Sequence, residues 1–164
     1  MLPLNHNTMR KGFTLIEFVI YCGIAITITT ALVTAAAHAI NEKSRLGQLE
    51  SISRNARLAE KILTDNIQSA QAITSPTNAT STILILTFAT GTTPITFSLD
   101  DSSIEIAEGE ESPQRITDTE VIATALEFTG ITSSSTQGIV RTSFTLSNGG
   151  MTKTFNLTNN VYAH

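Results

Sequence analysis

From Phe18 to Ala37 the chain reads FVIYCGIAITITTALVTAAA, twenty residues without a charge or a proline. At 1.5 Å per residue, a helix of about 20 residues crosses a hydrocarbon core of about 30 Å. No other feature narrows the fold as much. Thr27, Thr29, Thr30 and Thr34 fit such a helix, because a helical threonine can bond its hydroxyl to a preceding carbonyl. Gly23 and the alanines 35–37 are small enough to let a second helix approach closely.

What precedes the run decides what kind of apolar segment it is. Arg10 and Lys11 resemble the charged region of a secretory signal peptide, and Ala37-His38-Ala39 resembles its cleavage site. The run is longer than the usual 7–15 apolar residues of such a peptide, however, and Glu17 stands near its start. A plain signal anchor, with Arg10 and Lys11 cytoplasmic and the rest exported, is the second simple reading, although Lys43 and Arg45 weaken the charge asymmetry. Neither reading explains the acid. A carboxylate at bilayer depth costs a few kcal/mol and marks a functional site with a partner to be named. If the chain were cut between Gly12 and Phe13, the new amine of Phe13 would be a cation four residues from Glu17. It could pair within one helix or with Glu17 of a neighbouring copy. Negative charge near a helix N-terminus is also favourable.

The stretch Lys11-Gly12-Phe13-Thr14-Leu15-Ile16-Glu17 resembles the prepilin signature of type IV pilins and type II secretion pseudopilins. The resemblance implies a leader peptide over 1–12, cleavage after Gly12 by a membrane-embedded prepilin peptidase, and N-methylation of Phe13. It implies that Glu17 acts in assembly, and that an inner-membrane platform stacks the subunits with other pilins or pseudopilins into a filament. The expected location is a single pass through the cytoplasmic membrane with the N-terminus inside, followed by a filament in the periplasm or at the cell surface. The implied role is a structural subunit in protein secretion, DNA uptake or surface motility. The alternative is a membrane-anchored binding module shown at a filament tip, for a secreted protein, DNA or a surface. One departure from the family pattern is Thr34, which stands where many major pilins carry a kinking proline, so no kink is expected there.

Beyond the membrane-length segment at 13–40, an amphipathic helix is expected over 41–74. Its apolar face is formed by Leu46, Leu49, Ile52, Ala56, Ala59, Leu63, Ile67 and Ala70. Ser75-Pro76 is expected to end it, because the residue before proline disfavours the helical region. The remaining segment, 75–164, reads as an antiparallel sheet domain. Thr82–Phe88, Ile95–Leu99 and Ser103–Ala107 suggest a three-strand meander. Val121–Phe128 opens a second group, and Ser133–Gly138 reads as a flexible loop. Two alternating strands flank Asn148-Gly149-Gly150, a strong hairpin signal. The fold class is therefore α+β: a long N-terminal helix packed on an antiparallel β-sheet domain. The texture is most similar to J-type minor pseudopilins, whose sheet has two parts.

Charge and residue types bear on the remaining chemistry. Residues 1–63 carry a net +3 and residues 64–164 a net −7, which argues against a broad basic face for nucleic acid on the C-terminal part. Arg115, Arg141 and Lys153 are its only cations. The only cysteine, Cys22, lies in the apolar run, so no disulfide is expected. His164 is the only histidine beyond the membrane exit, which leaves no credible base for a catalytic triad, and no enzyme activity or cofactor is expected. Asp100, Asp101, Glu105, Glu108, Glu110 and Glu111 read first as a solvated hairpin and loop, and second as a calcium site. Asn78-Ala79-Thr80 and Asn156-Leu157-Thr158 match the glycosylation triplet.

Overall fold

A computed structural model of the chain describes residues 14–88, 93–134 and 137–162. Among the described residues one helix, α1 (Leu15–Ser69), is followed by nine strands: β1 (Ala72–Ser75), β2 (Thr80–Ser81), β3 (Leu84–Thr87), β4 (Ile95–Asp100), β5 (Ser103–Glu108), β6 (Gln114–Arg115), β7 (Ile122–Ser134), β8 (Gln137–Asn148) and β9 (Met151–Tyr162). The fold is α+β. The strands form two antiparallel sheets, ordered β1-β3-β4-β5-β6 and β2-β7-β8-β9. The chain divides into two compact units, residues 1–44 and 45–164.

In the first unit α1 is long and apolar enough to cross a membrane. Its large side chains are exposed throughout, from Leu15 to Ile40. The threonines hide their hydroxyls as expected. Thr27 donates to the Ile24 carbonyl, Thr29 to Ala25 and Thr30 to Ile26 at 2.8 Å, and Thr34 donates to Thr30 at 2.9 Å. The helix runs through Thr34 without interruption.

In the second unit the later part of α1 buries Ile52, Ala56, Ala59, Leu63 and Ile67 in a core shared with Leu84, Leu86, Phe97, Ile104, Phe128, Val140, Phe144 and Leu146. Two departures from the expected helix have physical causes. Leu46 and Leu49 continue the apolar stripe in sequence, yet they are 64% and 38% exposed, so the buried face begins only at Ile52. The helix also ends at Ser69 rather than near 74, and Ala72–Ser75 is a strand. There the Gln71 N–H donates to the Thr87 carbonyl at 2.8 Å, and β1 pairs with β3. Sheet pairing of a segment with β-branched Ile73 and Thr74 overrides the helical pattern before Pro76 is reached.

The expected meander is β3-β4-β5, with the Asp101-Ser102 turn between paired Asp100 and Ser103. Asp101 (φ 41°) and Ser102 (φ 62°) both take the left-handed conformation that twist-matched two-residue turns require. Gly149 (φ 57°) and Gly150 (φ 87°) do the same between β8 and β9. The inner face of β8 is the expected alternation: Val140, Thr142, Phe144 and Leu146 are all buried. The expected loop at 133–138 is a correction, because β7 and β8 extend through Ser134 and Gln137, which pair. Strands β2 and β6, two residues each, have no counterpart in the sequence reading.

Candidate functional site

Gly12 and Phe13, on either side of the expected cut, lie outside the described residues. The described part of the site starts at Thr14, which stands just ahead of α1. Its Oγ1 accepts the Glu17 N–H at 3.4 Å, and its carbonyl accepts the Phe18 N–H at 3.2 Å. Thr14 is thus the N-cap, and Glu17 is the third helical residue and the acid of the first turn. Threonine followed three places on by glutamate is the sequence of a capping box, which satisfies helix donors that have no partner within the helix. The sequence reading assigned Glu17 an ionic role alone. The pattern Thr-Leu-Ile-Glu ahead of an apolar run could have revealed the cap as well.

Glu17 is partly exposed, while Leu15, Ile16 and Phe18 around it are 85%, 69% and 61% exposed. Lys43 is the first Lys or Arg after it, twenty-six residues on. At 1.5 Å per residue that is about 39 Å along the helix, so no described cation of the first unit answers the carboxylate. One acid therefore sits among exposed apolar side chains at the helix start. Further along, Ile26, Thr27, Thr30, Ala31, Thr34 and His38 line a shallow groove on one face. With the hydroxyls bonded back to their own helix, that face offers mainly methyl groups.

The second unit holds the other candidates. The acidic set is divided between the ends of the β4–β5 hairpin. Asp100 precedes the turn and Asp101 is its first residue, whereas Glu108 pairs with Ile95 at the opposite end, and Glu110 and Glu111 lie beyond it. Five residues of strand separate the two ends, about 17 Å. Local donors already serve two members: the Asp101 N–H donates to Asp100 Oδ1, and Ser103 Oγ donates to Glu105 Oε1, both at 3.1 Å. Among the described residues no three acids, histidines or cysteines come together as metal ligands would. The calcium reading therefore finds no assembled site.

The three cations do not form a patch. Arg115 is on the edge strand β6, whereas Arg141 and Lys153 are on the other sheet, where they point to opposite faces by strand alternation. Lys153 Nζ lies 5.2 Å from the centre of the Phe155 ring. Asn78 is exposed at a left-handed turn position (φ 51°), and Asn156 is within β9.

The sequence reading missed a polar junction between helix and sheet. Asn55, 1% exposed, interrupts the apolar stripe of α1. Its Nδ2 donates to the Ser51 carbonyl at 3.0 Å and to Asp118 Oδ2 at 3.2 Å, and its Oδ1 accepts the Asp118 N–H at 2.7 Å. Arg54 adds an exposed ion pair to the same carboxylate at 3.1 Å. Both ends of the buried Asn55 amide are satisfied within the cluster, so Asn55 fastens the helix to the segment that carries Asp118.

No protein-family model matches the chain, and no curated protein or solved structure matches it.

Proposed function

We propose that the chain is a minor pilin or pseudopilin, a structural subunit of a type IV-like filament. In this reading it is cut after Gly12, methylated at Phe13 and inserted in the cytoplasmic membrane with its sheet unit exported. The observation that carries the reading is Glu17, a carboxylate in the first turn of a membrane-length apolar helix, which no described cation of that unit is near enough to answer. Cutting beside Phe13 supplies an ammonium four residues away, or at the same depth in a neighbouring copy. The exposed apolar side chains around the acid fit burial among other such helices, in a bilayer and then in a filament core. There the water that would otherwise solvate the carboxylate is absent, and the pairing strengthens accordingly.

Capping and ion pairing make different demands on position 17, so substitutions separate them. Glu17→Gln keeps an N3 side chain suited to a capping box and removes the charge. Thr14→Ala removes the cap and keeps the charge. The proposal expects Glu17→Gln to abolish incorporation into filaments beside wild-type partners. Thr14→Ala should weaken the helix start by about 1 kcal/mol and leave incorporation largely intact. Normal incorporation of Glu17→Gln would refute the ionic role. Mass spectrometry of the mature N-terminus is the companion measurement: methylated Phe13 supports the reading, and an intact Met1 or a new end near Asn41 opposes it.

A further inference from the structure

Each sheet has two edges, and three of the four are short. β1 has four residues, and β2 and β6 have two each. Short edge strands are one way proteins keep sheet edges from pairing with other chains. β9 is the exception: twelve residues long, paired with β8 alone, with no proline and one charge, Lys153.

Its register shows which backbone groups are open. Asn148 and Met151 close the two-residue turn as partners. In a tight two-residue hairpin that pair exchanges both backbone hydrogen bonds, and bonding pairs then recur at every second residue. Met151, Lys153, Phe155 and Leu157 therefore direct their N–H and C=O groups to β8. Thr152, Thr154, Asn156 and Thr158 direct theirs to the open side. Among the described residues, no backbone bond outside the β8 ladder reaches these four. We infer that the Thr152–Thr158 edge pairs antiparallel with the same edge of a second copy, about a two-fold axis at Phe155.

Three features of the strand select a second copy. On the outer face this register sets Thr152 opposite Thr158 and Thr154 opposite Asn156. The same sheet already joins neighbouring strands through such hydroxyl pairs, Thr145 to Thr154 at 2.9 Å and Thr80 to Thr129 at 3.1 Å. On the inner face the two Phe155 rings meet. Phe155 is half-buried and stacked on Phe144 with ring centres 5.3 Å apart, so its exposed edge would extend an aromatic row across the axis. Finally, the segment carries no acid, and its one cation is kept from its own copy. Lys153 faces Leu157 of the second copy, and its Nζ lies 5.2 Å from the centre of its own Phe155 ring, so the two cations are not set directly opposite each other. Such an interface is isologous and closes on itself. The inference does not depend on the filament reading.

The test uses full-length chains in membranes, all carrying Cys22→Ser, expressed as two differently tagged copies. One copy carries Thr154→Cys and the other Asn156→Cys, and mild oxidation follows. The expected result is a disulfide-linked dimer bearing both tags, with little dimer from either cysteine copy alone. Directly opposed residues fall within the reach of a disulfide, whereas diagonal ones lie near or beyond it. Thr158→Pro in both copies removes an open-side N–H without touching the β8 ladder, and should abolish the mixed dimer. Thr152→Lys combined with Thr158→Lys in both copies, which sets like charges directly opposite each other at both ends of the pairing, is the second block, should the proline variant lose its protease-resistant fold. Absence of the mixed dimer, equal dimer from one cysteine copy alone, persistence with a folded blocking variant, or a disulfide to a different protein would each overturn the inference.

Discussion

At the scale of single residues, two polar side chains in α1 show how context sets a role. Glu17 and Asn55 both interrupt apolar patterns. The sequence exposed the first because a charge in a membrane-length run costs enough to demand a reason. It concealed the second because a single amide in an amphipathic helix ordinarily faces water. Asn55 instead takes a buried place beside Ile52 and Ala59 and compensates by bonding both ends of its amide. Its partner Asp118 is sixty-three residues away, so no local pattern could pair them. Asn55→Ala leaves the Asp118 N–H without its acceptor and should lower stability by about 2 kcal/mol. Arg54→Ala should cost no more than about 1 kcal/mol, because that ion pair is 71% and 55% exposed. Urea unfolding of the two variants checks the ratio, and equal losses would show that the amide is not the fastener.

At the scale of elements, legibility followed the range of the interactions. The β8–β9 hairpin was readable because Asn148-Gly149-Gly150 encodes its own turn and the strands alternate on either side. The β4–β5 hairpin was readable from alternation, although its turn uses Asp101 and Ser102 in the left-handed conformation without any glycine. β1, β2 and the true end of α1 were not readable, because distant partners create them. β1 exists by pairing with β3, and β2 by pairing Thr80 and Ser81 with Thr129 and Phe128 of β7. The stretch between β1 and β2 carries the chain from one sheet to the other, and it crosses β7 at Gly130. There the Gly130 N–H donates to the Ala79 carbonyl at 3.1 Å, and an added Cβ would lie 1.9 Å from the Pro76 carbonyl oxygen. Gly130→Ala must push backbone away from backbone, and should destabilise by about 1–3 kcal/mol. Gly47 is the counterpart within α1: an added Cβ there meets nothing within 4 Å. Gly47→Ala should stabilise by about 0.5–1 kcal/mol through helix propensity. Thermal unfolding should therefore move in opposite directions for the same substitution. A neutral Gly130→Ala would show that the crossing is looser than drawn.

At the scale of the whole molecule, the two compact units divide the helix in the middle. In the first unit the apolar side chains from Leu15 to Ile40 are exposed, whereas the second, residues 45–164, takes α1 from Ile52 onward into its own core. The sequence placed the start of the globular domain at 75, where the β texture begins. The change of texture marks secondary structure, but a domain is bounded by where apolar area is buried. Ile52, Leu63 and Ile67 are fully buried, and each large aliphatic side chain of this kind contributes about 1.5–3 kcal/mol. Three of them supply about 5–9 kcal/mol, comparable to the roughly 5–15 kcal/mol by which a whole domain is stable. A fragment of residues 45–164 should thus be soluble and unfold in a single cooperative transition. A fragment of residues 75–164 loses α1 and β1 and uncovers Leu84, Phe97, Phe128 and Phe144, so it should aggregate or show no cooperative transition. Circular dichroism during heating of the two fragments decides the matter. A cooperative 75–164 fragment would mean that the sheets close a core without the helix, and that the helix is an attachment to the domain rather than part of it.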